Sequence, residues 1–123
     1  MGNTLVNRRD QDFVLYEQLD IQKLFGREHF TDYSKETVDM MLNEAEKMAV
    51  EIILPTHEDG DKVGVAFKEG KVFVPKSYHE AWRKFTEAGW ISSMRGADVG
   101  GQGMPASVYA SFYELFNAAN FSF

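Results

Sequence analysis

Apolar and polar positions repeat with the helical period in three stretches of this chain. From Ser34 to Pro55, SKETVDMMLNEAEKMAVEIILP sets Val38, Met41, Leu42, Ala45, Met48, Ala49, Ile52 and Ile53 at the three-and-four spacing of one buried stripe. Glu36, Asp39, Glu44, Glu46 and Lys47 fall on the other side. Ser34 supplies the N-cap, and Pro55 the stop, since proline disfavours helix in the residue before it. SYHEAWRKFTEAGW predicts a second helix with Tyr78, Trp82 and Phe85 inward. Its signals are a Ser77/Glu80 capping box and a left-handed C-cap at Gly89. Val108, Phe112, Leu115, Phe116 and Ala119 mark a last helix that starts at Pro105, a residue favoured in a first turn.

Weaker patterns fill the gaps. Asp10 caps a short helix to about Leu19, with Phe13, Tyr16 and Leu19 on one face. Leu24, Phe25 and Phe30 continue as an irregular apolar connection. THEDGDKVG reads as a polar loop. VAFKEGKVFVP reads as a small hairpin about Glu69-Gly70, with Pro75 confining any strand to an edge. The sum is a mainly α class: a small bundle of about four helices, long connections and at most a short hairpin. Residues 1–33 form an N-terminal extension with a short helix, and residues 34–123 a helical domain.

Composition narrows the classes. A chain of 123 residues is about one domain, and 44% hydrophobic with 14% aromatic residues suffices for a core and excludes disorder. A net charge of -6 with no basic stripe argues against nucleic acid. The absence of cysteine excludes disulfides, zinc-thiolate sites and cysteine nucleophiles. MGNTLVNRRDQDF has no apolar signal region, and Val6 stands where a myristoylation signal wants Ser or Thr. A cytoplasmic domain is expected.

Candidate chemistry is sparse. Gly100-Gly101-Gln102-Gly103 precedes a helix, as phosphate-binding loops do. However, its spacing fits neither G-x-G-x-x-G nor the Walker pattern, no strand precedes it, and Pro105 removes an N–H a phosphate would use. Gly100, Gly101 and Gly103 are therefore read as a structural turn. His29, His57 and His79 lie far apart without metal-ligand spacing, and Glu58, Asp59 and Asp61 miss the calcium-loop frame, so no metal is expected. No nucleophile, base and orienter can be named together. Tyr109, Phe112, Tyr113, Phe116, Phe121 and Phe123 put aromatics on more than one face of the last helix. With no recognisable terminator at NFSF, the chain looks cut within an element.

These residues carry a resemblance. GWISSMRGADVGGQGMPASVYASFYELFNAAN resembles the N-terminal helical domain of the acyl-CoA dehydrogenases. There a Gly-Trp or Gly-Leu turn precedes xxGGxGL and a helix with an E-E-L/F core, matched by Gly89-Trp90, Gly100 to Met104, and Glu114-Leu115-Phe116. LVNRRDQDFVLYEQLDIQKLF is similar to the extra N-terminal segment of the large bacterial subgroup. EGKVFVPKSYHEAWRKFTEAGW is similar to its connection and helix before the glycine loop.

The resemblance implies a parent enzyme in which FAD, held mostly by a middle β-domain and a C-terminal helical domain, oxidises the Cα–Cβ bond of an acyl-CoA thioester. It implies electron-transferring flavoprotein as the electron acceptor, a homo-oligomeric parent and a place in fatty-acid β-oxidation. The base lies in the C-terminal domain, so this piece alone is expected to be inactive. It would wall the acyl pocket and pack on the remaining domains. Asn117, Asn120 and Phe121 fall where the family's helix borders the acyl tail, and two asparagines there depart from the common pattern. The rival reading is a stand-alone helical interaction module that grips a partner helix or a lipid through the aromatic helix.

Overall fold

The computed structural model describes residues 3–123. Its elements are α1 (Arg8–Asp12), α2 (Lys35–Met48), α3 (Thr56–Lys62), β1 (Ala66–Lys68), β2 (Lys71–Phe73), α4 (Lys76–Glu87) and α5 (Ala106–Ala119). The class is mainly α, as the periodicity predicts, with five α-helices among the described residues where about four are expected.

Ser34 caps α2, its hydroxyl accepting from the Thr37 amide at 3.1 Å. The stripe turns inward as predicted: Val38, Leu42, Ala45, Ala49 and Ile53 are fully buried. The helical run ends at Ile53, just before Pro55 as expected, but the backbone does not leave the helical region. Residues Ala49–Ile53 widen into a π turn, where the Leu54 amide donates to the Ala49 carbonyl at 2.8 Å, and Leu54 stays helical at φ -54. The wider turn accommodates the proline ring, and α3 begins at once.

α3 occupies the stretch expected to be a polar loop. Glu58 and Asp59 in its first turn and Lys62 in its last suit the helix dipole, and Lys62 pairs with Glu58. Gly60, which argued for a loop, answers to packing instead: a Cβ there would collide with the Tyr78 hydroxyl.

The short first helix is capped by Asn7, whose side chain accepts from the Arg9 amide at 3.1 Å, and not by Asp10. Its buried residues are Gln11 and, in the π turn that follows, Leu15. Phe13 and Leu19 face solvent, because the widened turn rotates the expected face outward. The irregular connection is a pair of 3-10 turns, Ile21–Gly26 and Glu28–Phe30.

In α4 the Ser77/Glu80 capping box does not form. Pro75 holds the cap position, Ser77 lies in the first turn with its hydroxyl unpartnered, and Glu80 pairs with Lys84 at 3.1 Å. Tyr78 and Ala81 are buried while Trp82 is 48% exposed, so only part of the expected inward face is covered. Gly89 closes the helix at φ 81, the left-handed turn predicted. Pro105 takes the cap position before α5, in extended conformation, rather than the first turn. α5 ends at Ala119, and an extended Asn120 terminates it where no terminator was expected.

α2 and α5 pack on each other and organise one core, in which Leu15, Ile21, Tyr33, Trp90 and Met104 join the two stripes. Burying each large side chain contributes about 1.5–3 kcal/mol. The N-terminal segment is fastened to this pair. Asn3 donates to Glu46 at 2.6 Å, Arg8 meets Glu46 at 3.1 Å, and Gln11 donates to the Ser111 carbonyl at 2.9 Å and to Glu114 at 2.8 Å. The hairpin forms as predicted, Phe67 opposite Val72, with Glu69 and Gly70 both at positive φ in the turn. Its apolar residues stand free, Phe67 72% and Val72 65% exposed. Among the described residues no helix is long and apolar enough to cross a membrane.

Candidate functional site

Three segments converge on one aromatic cleft. α4 brings Trp82 and Phe85; the left-handed turn at Gly89 swings Trp90 under α5; and α5 contributes Phe112 and Phe116. Trp90 lies 5.4 Å from Phe116, and Phe85 stands edge-on to Phe116 at 5.5 Å. After α5 the chain folds back, so that Phe123 meets the edges of Tyr78 at 5.7 Å and of Trp82 and Phe85 at 6.1 Å each. Edge-on rings place positive rims against negative faces and hold the walls rigidly.

The cleft holds about 240 Å³, and among the described residues no Asp, Glu, Lys, Arg or His lines it. Such a container orients an apolar body and supplies neither a base nor a nucleophile. Tyr109, stacked on Tyr113 at 5.2 Å along the same wall, has its phenol pushed above its ordinary value chiefly by burial.

The three candidate residues of the sequence all line this cleft, in different ways. Asn117 is half-buried, and among the described residues its side chain makes no hydrogen bond. Asn120 is 4% exposed and fully engaged: its amide nitrogen donates to the Thr56 hydroxyl at 2.9 Å and the Tyr78 hydroxyl at 3.1 Å. Phe121 is 84% exposed at the rim. Sequence reasoning missed Phe123, Phe85 and Trp90 as walls of one space, and it missed Thr56 altogether. Only the aromatic spacing around Gly89 signalled them.

The glycine loop aims its amides at itself. Gly101 donates to the Gly96 carbonyl at 3.0 Å, Gly103 to Arg95 at 2.8 Å and Met104 to Ser93 at 2.9 Å. A Cβ on Gly101 would strike the Arg95 carbonyl, and the Tyr33 hydroxyl donates to the Gln102 carbonyl at 2.8 Å. An anion at this loop would find those donors occupied.

A larger groove of about 590 Å³ runs beside the N-terminal segment, open to solvent, and its Arg8 guanidinium is already paired with Glu46. His29, His57 and His79 are exposed on separate elements. Among the described residues no group of three or more His, Asp or Glu gathers to hold a metal.

No protein-family model matches the chain. Among curated proteins it is similar to 3-methylmercaptopropionyl-CoA dehydrogenase of Ruegeria pomeroyi, 35% identical over 82 residues, 67% of this chain and 14% of that protein. It is similar to the broad-specificity linear acyl-CoA dehydrogenase FadE5 of Mycobacterium tuberculosis, 31% identical over 122 residues, 98% of this chain and 20% of that protein. Butyryl-CoA dehydrogenase of Syntrophomonas wolfei is 27% identical over 123 residues, 97% of this chain and 20% of that protein. The chain thus spans a fifth or less of the length of these relatives.

Proposed function

We propose, for a chain that belongs to the acyl-CoA dehydrogenase family, that it serves as the N-terminal helical part of an enzyme that oxidises the Cα–Cβ bond of an acyl-CoA thioester. The aromatic cleft between α4, the Gly89 turn and α5 is the wall against which the acyl tail lies. The observation that carries this reading is the cleft's makeup: mostly aromatic, free among the described residues of ionisable side chains other than tyrosine, and edged by the half-buried amide of Asn117. An apolar wall of this kind discriminates by about 1–3 kcal/mol per methylene, enough to set a chain-length preference.

The described residues do not fit the flavin. The glycine loop, the one place with the look of a phosphate cradle, has its amides turned onto Gly96, Arg95 and Ser93. FAD and the base would come from the rest of a longer enzyme, and the chain by itself would be inactive. The exposed apolar hairpin, carrying Phe67, Val72 and Phe73, suits packing on those other parts. Electron-transferring flavoprotein as electron acceptor, a homo-oligomeric enzyme and a cytoplasmic role in fatty-acid β-oxidation belong to the same proposal.

The test uses the complete gene product. Its visible spectrum is recorded, and acyl-CoAs of graded chain length are then added without oxygen. Bleaching of a bound flavin band by one acyl-CoA class is the expected result. A colourless, folded protein indifferent to every acyl-CoA would overturn the proposal and leave the helical interaction module in its place.

A further inference from the structure

We infer that Thr56, Tyr78 and Asn120 form a positioning cluster that fixes the wall of the aromatic cleft at Asn120, and that Asn120 is held by protein rather than by ligand. All three are buried, at 3%, 7% and 4% exposure, and they come from α3, α4 and the end of α5. The direction of each bond is forced. The Thr56 hydroxyl gives its proton to the Ile53 carbonyl at 2.6 Å, so toward Asn120, at 2.9 Å, it can only accept. On the other side the Ser122 amide can only donate, and it does so to the Asn120 carbonyl oxygen at 3.0 Å. The amide of Asn120 therefore has one possible orientation, with its second N–H on the Tyr78 hydroxyl at 3.1 Å.

That orientation decides the course of the chain after α5. Holding the Ser122 amide turns the backbone so that Phe123 enters the box of Tyr78, Trp82 and Phe85, while Phe121 stays outside. A one-residue slip would exchange the two phenylalanines and change the depth of the cleft. An aspartate at 120 has no N–H to give the two hydroxyls, and a serine is too short to reach both. With both of its N–H groups engaged, Asn120 has no side-chain donor left for a ligand, which leaves Asn117, one turn earlier, as the side-chain amide that faces the cleft.

The occupant of the cleft rests on the acyl-chain reading above; the positioning role does not, and the experiment separates them. The two tryptophans of the chain, Trp82 and Trp90, both line the cleft, so intrinsic fluorescence reports on it directly. Thr56→Val removes the acceptor and keeps the shape; Tyr78→Phe removes the hydroxyl and keeps the ring; Thr56→Ser restores the acceptor. Far-UV circular dichroism checks that each is folded.

The expected result is a red shift of tryptophan emission in Thr56→Val and Tyr78→Phe, with Thr56→Ser like the parent. Titration of the complete gene product carrying the same changes, with short, medium and long straight-chain acyl-CoAs, should show about a tenfold loss of chain-length discrimination in the first two, the lower end of what one methylene gives in an apolar pocket. Unchanged emission in both folded variants would overturn the positioning role. Emission that shifts as expected in this chain, with the complete gene product keeping the parent's chain-length preference, would uphold that role and count against the acyl occupant alone.

Discussion

The indole of Trp90 lies 4.8 Å, centroid to centroid, from the ring of Phe112, tilted by 55°, and so locks the turn after α4 to the middle of α5. Trp90 is 8% exposed and Phe112 1%, so neither ring can be trimmed without leaving a void. Trp90→Ala is expected to cost about 3–5 kcal/mol of stability, read as a lower urea midpoint. A cost under about 1 kcal/mol would mean that the turn closes over the gap and that the aromatic wall is not rigid.

Gly60 and Tyr78 give a signed double-mutant cycle. Alanine is the better helix former by about 1 kcal/mol, yet its Cβ at position 60 would overlap the Tyr78 hydroxyl, which Asn120 holds in place. Gly60→Ala alone should destabilise by about 1–3 kcal/mol, as overpacking does. Combined with Tyr78→Phe it should cost less than the two single changes summed, by thermal or urea unfolding.

Gly101 and Gly26 make a matched pair of opposite outcome. A Cβ at 101 meets the Arg95 backbone, which cannot step aside cheaply, whereas a Cβ at 26 meets nothing within 4 Å. Gly101→Ala should destabilise by about 1–3 kcal/mol, while Gly26→Ala should be neutral or stabilising by up to about 1 kcal/mol. Equal effects on the unfolding midpoint would contradict the loop geometry described.

Acid stability should report on Asp39. Burial alone would raise its carboxyl pKa, but hydrogen bonds from the Lys35 ammonium and the Tyr16 hydroxyl, at 2.6 Å each, hold it below the ordinary value. A depressed carboxyl stabilises the fold fully above the unfolded aspartate pKa of about 3.9, and that contribution is lost as pH falls through the lower folded value. Asp39→Asn should therefore flatten the acid limb of stability against pH below about 4. Urea midpoints taken across that range for both proteins decide it.

The free-standing hairpin predicts self-association of this chain. Phe67→Ser with Val72→Ser should leave the unfolding midpoint nearly unchanged, because both side chains are mostly exposed already. The same pair should reduce the concentration dependence of sedimentation. A chain that sediments as a monomer at every concentration before substitution would show that this surface is not adhesive.

The stripes of α2 and α5 were legible because their periodicity survives folding: Val38 to Ile53 and Val108 to Ala119 face one common core. The Glu69-Gly70 turn was legible for a local reason, its need for positive φ. α3 was not, since its glycine is explained by a tyrosine eighteen residues away rather than by a loop. Asn7 and Asp10 are comparable caps by residue type, and which one is used depends on where the backbone enters the helix. Of the candidate site, the aromatic content could be read from the chain, but the bonds of Asn120 could not. Their partners lie 64 and 42 residues away and have ordinary helical surroundings.

The π turn at Ala49–Ile53 works as a phase adjuster. One residue more than an α-helical turn requires advances the winding by about 100°, so everything after it is dialled round relative to the stripe of α2. In this setting Ile53 still points into the core while Thr56, three residues on, aims at Asn120. Removing a single residue from that turn would leave a more regular helix and a worse protein. The hydroxyl of Thr56 would swing off its mark, and the wall of the cleft at Asn120 would lose its anchor although no residue of the cleft had been touched.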